Sequence, residues 1–162
     1  MPKFSSALQL AEQTSPANPP AGWVSLFAKP GGALWARTSA GVERLVEPGI
    51  LFPFSASGTL AVMIGSYRLY NDTGNALTIK AVRASVGTAP TGAPILVDIN
   101  VDGSTIFATQ ANRPTIAIGT NTSGKVTAMS TTSIADGSYF SVDVDQVGSV
   151  VAGANLTVQV LC

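Results

Sequence analysis

The feature that most constrains this chain is a run of alternating apolar and polar residues at positions 139–148. Three apolar residues are interleaved with three polar ones: Phe140, Val142 and Val144 with Ser141, Asp143 and Asp145. A period of two is typical of a strand with one buried and one solvent-facing side. A second such run, residues 156–160, follows a glycine-containing connection. The pattern therefore predicts a β-hairpin from these two runs, with the rest of the domain built against it.

The remainder of the C-terminal region is divided into short strand-length segments by turn-forming residues. The predicted strands are residues 59–65, 67–70, 77–86, 95–101, 105–108, 115–118, 125–129, 139–144 and 156–161. Asn, Asp, Pro and Gly occupy most of the connections, which is typical of β-turns. Because no long helical pattern interrupts the series, we predict an all-β fold. Its main domain, residues 59–162, would be a jelly-roll-like antiparallel β-sandwich.

Two smaller regions precede this domain. Residues 1–22 are predicted to form an extended arm, because Pro16, Pro19 and Pro20 disfavour regular structure. Residues 23–47 predict a small β-meander, with strands at 23–29, 33–38 and 42–46 and a turn at Pro30-Gly31-Gly32. Residues 47–49 and 53–58 are rich in Pro, Gly and Ser and bracket a predicted linker.

The meander contains more large apolar residues than three short strands can bury. The candidate contact residues are Trp23, Leu26, Phe27, Leu34 and Trp35. A sheet this small requires a second surface to pack against. That surface could be the downstream domain or identical meanders in an oligomer, and the proline-flanked boundaries favour the oligomer.

Composition argues against several functional classes. Charged residues make up 11% of the chain and cancel to zero, so nothing favours binding to nucleic acid or to anionic membranes, whereas self-association is little opposed. The chain has no histidine, which removes the commonest general base and zinc ligand. Nucleotide-binding loops and nucleophile elbows are also missing. We therefore predict no catalytic residue, no cofactor, no metal site and no enzymatic activity.

Three local patterns could suggest otherwise. Asp98-Ile99-Asn100-Val101-Asp102-Gly103 matches the start of an EF-hand loop, but Thr109 stands where the closing glutamate belongs, so a hairpin turn at Asp102-Gly103 is the better interpretation. Asp143 and Asp145 would lie roughly 7 Å apart on one strand face, a spacing that glycosidases use, although a solvated face gives the same pattern. Four aromatic residues could stack on sugar rings or belong to the core: Tyr67, Tyr70, Phe107 and Tyr139.

The sequence carries no signal-peptide pattern at its N-terminus and no apolar run long enough to span a membrane. We expect synthesis in the cytoplasm and no membrane partner. The only cysteine, Cys162, excludes an intrachain disulfide. It could pair with another chain, but a small side chain ending a strand is the favoured interpretation.

Two stretches resemble virion proteins of tailed bacteriophages. The first is Pro19-Pro20-Ala21-Gly22-Trp23-Val24-Ser25-Leu26-Phe27-Ala28-Lys29, continued by residues 31–37 and 41–43, and it is similar to a short meander in those proteins. The second begins with Tyr67-Arg68-Leu69-Tyr70-Asn71-Asp72-Thr73-Gly74 and continues through residues 82–93, 98–103 and 143–149. It is similar to a β-sandwich of phage minor tail, fibre and appendage proteins.

This resemblance implies a structural protein of the virion surface, typically a homotrimer. It would be synthesised in the cytoplasm of the bacterial host. Its N-terminal part would attach it and its sandwich would face outward. Because fibre proteins are often longer, both a head-decoration or head-fibre protein and a minor tail or fibre protein remain open. The implied partners are further copies and other capsid or tail subunits. The alternative is a carbohydrate-binding module or receptor-binding adhesin that recognises bacterial surface glycans; a glycosidase using Asp143 is a third reading.

Overall fold

The computed structural model describes residues 10–30, 33–46 and 49–162, which form two compact units divided after residue 48. Within these residues the chain is built from antiparallel strands and one short 3-10 helix, Gln110–Asn112. The prediction of an all-β, sandwich-like antiparallel fold is confirmed. Each unit has its own sheets.

The first unit is a three-stranded antiparallel meander. Its strands are β1 (Val24–Ala28), β2 (Leu34–Thr38) and β3 (Glu43–Leu45), in that spatial order. Gly41 makes the turn between β2 and β3, where its φ of 80° suits a residue without a side chain. The described part of the arm, residues 10–22, adds a single parallel bridge between Glu12 and Ala28. Residues 1–9 and the predicted turn at 31–32 lie outside the described residues.

The second unit contains ten strands. They are β4 (Leu51–Thr59), β5 (Leu69–Tyr70), β6 (Leu77–Thr78), β7 (Ala81–Thr88), β8 (Ile95–Val101), β9 (Ser104–Thr105), β10 (Thr115–Ile116), β11 (Ser133–Ile134), β12 (Tyr139–Gln146) and β13 (Ala154–Leu161). One sheet has the order β4-β13-β7 and another β10-β8-β12-β5, with β9 paired to β8. The strands β6 and β11 form a small separate ladder.

The apolar faces of the two larger sheets form the core. Val82, Val158 and Val160 come from the first sheet, and Ile99 and Phe140 from the second; all are almost fully buried. A direct link across the sandwich is the edge-to-face contact of Phe52 with Phe140, whose ring centroids are 5.0 Å apart. The alternation seen in the sequence thus places one side of each long strand in this core.

The predicted hairpin of residues 139–148 and 156–160 is wrong. β12 pairs with β8 and β5, whereas β13 pairs with β4 and β7, so the two strands lie in different sheets. Their connection contains Gly148, where a Cβ would overlap the carbonyl group of Val151. Period two identifies the buried face of a strand but carries no information about its neighbour.

The predicted linker is also wrong, because residues 53–58 belong to β4 and pair along β13. Pro53 is tolerated there because β4 is an edge strand, where a missing N–H costs no ladder hydrogen bond. The stretch 59–65, predicted as a buried strand, leaves β4 at Thr59 and is mostly exposed. Residues 125–129 form no strand and contribute one bridge, Val126 to Val82.

Other local predictions agree with the structure. β8 has the predicted bounds, Ile95–Val101, and turns into β9 at Asp102 and Gly103. Both turn residues have positive φ, 51° and 81°, which is typical of a tight type I′ hairpin. The EF-hand-like stretch is therefore a strand and its turn.

Candidate binding surfaces

One face of the meander is tied to the arm by a polar cluster. Glu43 accepts hydrogen bonds from Ser15 and Arg37 (2.6 Å each) and pairs with Lys29 (2.7 Å). Arg37 also donates to Asn18 (2.7 Å). Mainly because of the hydrogen bond from Lys29, the pKa of Glu43 falls from 4.5 to about 2. These contacts hold the arm against β2 and β3.

The same face carries the aromatic residues of the meander. Phe27 pairs with Trp35 across β1 and β2, and Phe27 is 1% exposed. The ammonium of Lys29 lies 3.8 Å from the centre of the Trp35 ring, in cation–π geometry. Ion pairs and aromatic packing therefore both stabilise this side of the sheet.

The opposite face, here called the open face, carries the apolar residues Val24, Leu26, Ala28, Leu34 and Ala36, with Thr38 and Arg44 on the same side. Val24 and Leu26 are 57% and 54% exposed. The register places Leu26 beside Ala36 and Ala28 beside Leu34, so these side chains share one side of the sheet. Leu34 and Ala36 on this face are half-buried.

The five residues predicted to make anchor or oligomer contacts are thus divided by the sheet. Leu26 and Leu34 lie on the open face, whereas Phe27 and Trp35 lie on the arm side. Trp23 precedes β1 and is 69% exposed. Their contacts with other chains stay a prediction, and the open face is the part of the set that is available for them.

The second unit has an apolar cavity of about 550 Å³ at one side of the sandwich, here called the edge slot. One wall is β4, the edge strand of its sheet, and the other is residues 60–69, here called the edge segment. The floor is formed by Leu156 and Val158 of the core. Most lining side chains are apolar, and the core residues of the floor are themselves almost fully buried.

The edge segment runs beside β12 with a local bulge. Met63 exchanges two backbone hydrogen bonds with Val144 (3.0 and 2.8 Å), and Leu69 pairs with Phe140. Between them Gly65 approaches β12 so closely that a Cβ would overlap the Val142 carbonyl. The segment alternates: its odd-numbered residues 61–69 line the edge slot, and Ile64, Ser66 and Arg68 line a second cavity.

This second cavity, the polar pocket, has a volume of about 310 Å³. Asp143 accepts hydrogen bonds there from Gly65 N (2.8 Å) and Asn100 Nδ2 (2.9 Å). The guanidinium of Arg68 lies 4.5 Å from the centre of the Tyr139 ring. Hydrogen bonding to Tyr70 is the main cause that raises the pKa of Arg68. The pocket thus combines a cation, an acid, an amide and an aromatic ring.

The acidic residues have separate partners. Asp98 accepts hydrogen bonds from Thr105 Oγ1 (2.7 Å) and Ile99 N (2.8 Å), and burial raises its pKa. Asp145 is ion-paired with Arg113, and Asp143 has the contacts given above. In the described part of the chain, no three acid or cysteine side chains are grouped to hold a metal ion.

The aromatic residues considered for sugar stacking fall into two groups. Phe107 is fully buried in the core, so that interpretation is wrong for it. Tyr67 is 75% exposed, and Tyr70 packs on Tyr139 with ring centroids 5.4 Å apart. Sequence reasoning missed the other pocket residues, including Arg68 and Asn100, since their pairing depends on the register of β8, β12 and the edge segment.

Comparisons with known proteins add no relative: no family model, curated protein or solved structure matches the chain. No helix in the described ranges has the length and apolarity needed to cross a bilayer.

Proposed function

We propose that this chain is a non-enzymatic structural component of a tailed-phage virion. It is a homotrimeric capsid-decoration, head-fibre, minor tail or tail-fibre protein at the virion surface. The N-terminal unit attaches it to other virion proteins, and the sandwich is displayed. The observation that carries the proposal is the open face of the meander, an exposed apolar surface that other chains could cover. It lies in the stretch, residues 19–43, whose sequence resembles phage proteins.

The physical argument concerns burial. Three short strands with one buried aromatic residue do not give a sheet much stability, and such a sheet gains from covering its second face. Val24 and Leu26 supply apolar area on that face, and Ala36 leaves room for an approaching side chain. A partner surface in an assembly would bury them.

The acids and the charge balance also support a structural role. Asp143 and Asp145 are held by Asn100 and Arg113 within the domain, which is what a rigid surface requires. The sequence lacks histidine and has no net charge. An inert part of an assembly fits these properties better than an acid–base catalyst does.

Two measurements test the proposal. Antibodies raised against the chain should label tailed particles in electron micrographs at one kind of site, and light scattering of the purified chain should give the mass of three copies. Leu26→Asp should reduce both association and particle binding, because it places a charge on the open face. Ala40→Asp, in an exposed turn, is the matched control. Particles that are never labelled would contradict the proposal.

The polar pocket favours one second candidate, an adhesin that recognises bacterial surface glycans. Arg68, Asn100 and Asp143 offer polar groups beside Tyr139. Aromatic faces beside hydrogen-bonding groups suit sugar rings. Glycan-array binding that is lost in Tyr139→Ala and Arg68→Ala, and kept in Ile118→Ala, would favour this candidate; an array without any signal would count against it.

A further inference from the structure

We propose that the free edge of the sandwich, formed by β4 and the edge segment, is the docking surface for a second copy of this chain. The proposal rests on the association of copies that the proposed function expects. It does not rest on the virion assignment. It assigns the contact to the second unit, whereas the open face lies in the first.

The first observation is the concentration of exposed apolar side chains beside the edge slot. Val62, Met63, Ile64 and Tyr67 lie within six residues of the edge segment. Met63 and Tyr67 line the edge slot, whereas Ile64, which is 87% exposed, lies at the polar pocket on the same segment. Isolated exposed apolar residues are ordinary, but a contiguous group next to an apolar cavity marks an interaction surface. A docked partner would cover Met63 and Tyr67, which line that cavity and are 39% and 75% exposed.

The second observation is the charge of this surface. From Gly49 to Tyr67 the sequence contains no charged residue, and both walls of the edge slot come largely from this stretch. A partner selected by charge would find no complement here. A second copy brings the same uncharged apolar surface, so the two copies meet without repulsion and without leaving a charge unpaired.

The third observation concerns the backbone of β4. Ile50 and Cys162 exchange two hydrogen bonds (3.0 and 2.8 Å), so by alternation Pro53 lies at a position whose backbone groups point away from β13. Its missing N–H interrupts the row of donors that an added strand would need. The edge is therefore suited to side-chain packing between folded copies and poorly suited to capturing an extended peptide.

The experiment uses the full chain and measures its mass by sedimentation over a range of concentrations. The wild-type chain should have a multiple of the 16.5 kDa chain mass. Ile64→Asp should weaken association at least about tenfold, because a buried unpaired charge opposes docking. Val150→Asp is the matched control, since Val150 is 79% exposed but lies outside β4 and the edge segment. Equal association of Ile64→Asp and wild type would overturn the proposal.

A second variant avoids any effect of a charge on folding. Ile64→Cys should be crosslinked between copies by a short thiol reagent, whereas Val150→Cys should not be. Crosslinking of both to the same extent would overturn the proposal. A monomeric wild-type chain would also overturn the proposal, and so would a monomer from which a lipid bound in the edge slot can be extracted.

The outcomes also separate this proposal from the proposed function. If Leu26→Asp dissociates the copies and Ile64→Asp does not, the sandwich edge is excluded and the proposed function is retained. If Ile64→Asp dissociates them but particles are never labelled, the docking surface is retained and the virion assignment fails.

Discussion

The two units of this protein bury their apolar residues in different ways. In the described part of the meander, Phe27 is the one buried hydrophobic residue, and a polar cluster around Glu43 holds the arm in place. The second unit has a shared core from two sheets, with Phe52 and Phe140 in contact across it. The first unit is therefore held together largely by polar contacts between the arm and the sheet, whereas the second is held together by an apolar core.

The substitution with the largest expected effect on stability is Phe140→Ala, in the core of the second unit. The substitution removes a fully buried ring that contacts the opposite sheet, and it should lower the free energy of unfolding by about 3–5 kcal/mol. Ile118→Ala, at an exposed position, should change it by less than about 0.5 kcal/mol. Chemical denaturation followed by circular dichroism gives both values. Similar losses for the two variants would mean that the sandwich lacks the tight core described above.

Gly148→Ala should have the next largest effect. The new Cβ would overlap the Val151 carbonyl and lie 2.9 Å from Thr91 O, so the connection between the sheets must shift. We expect a loss of about 1–3 kcal/mol in the same denaturation measurement. Gly87→Ala is the control, because its nearest contact would be 3.3 Å from Asn155 Cβ; a change within about 1 kcal/mol is expected there.

The polar tether of the meander should respond to pH. Since the pKa of Glu43 is lowered from 4.5 to about 2, its contribution is fully present above about pH 4.5 and is lost as the pH falls towards 2. Both tryptophans, Trp23 and Trp35, belong to the first unit, so their fluorescence reports on it alone. Glu43→Gln should remove the acid transition and speed proteolysis of the arm at neutral pH. Glu12→Gln should leave the acid transition and the proteolysis rate of the arm unchanged. Identical pH profiles of tryptophan fluorescence for Glu43→Gln and Glu12→Gln would contradict this prediction.

The smallest effect concerns Cys162. Burial raises the pKa of its thiol to about 11, and the side chain lies in the core. We therefore expect almost no reaction with a thiol reagent near pH 8 until the chain is unfolded. Non-reducing electrophoresis should show single chains, and Cys162→Ser should associate like the wild type. Rapid labelling of the native chain would show that the core is open at this point.

The sequence predicted best where the information is local. Alternation located β8 to the residue, and Asp102-Gly103 identified its turn, because both signals depend on neighbouring residues. Pairing between distant strands was not predictable: β12 and β13 follow each other along the chain but belong to different sheets. Pro53 suggested a linker for the same reason, since only the sheet order shows that β4 is an edge strand.

The candidate surfaces followed the same rule. Residue type identified Leu26 and Leu34 as apolar strand residues, but the register was needed to separate them from Phe27 and Trp35. The polar pocket depends on Gly65 approaching β12, and a glycine inside an apolar run was the one signal for such a contact. A cavity between the margins of two sheets depends on how the strands are arranged, so the sequence pattern of any one strand does not predict it.

The position of β13 has a consequence for how the chain is made. This strand is the middle of its sheet, and it holds β4 through contacts such as Gly58 N with Asn155 Oδ1, 97 residues apart in the chain. During translation β4 and β7 must therefore wait, without their shared neighbour, until residues 154–161 leave the ribosome. The meander, which needs no later residues for its own pairing, is free to fold first. A nascent chain would thus carry a finished meander ahead of an unfinished sandwich.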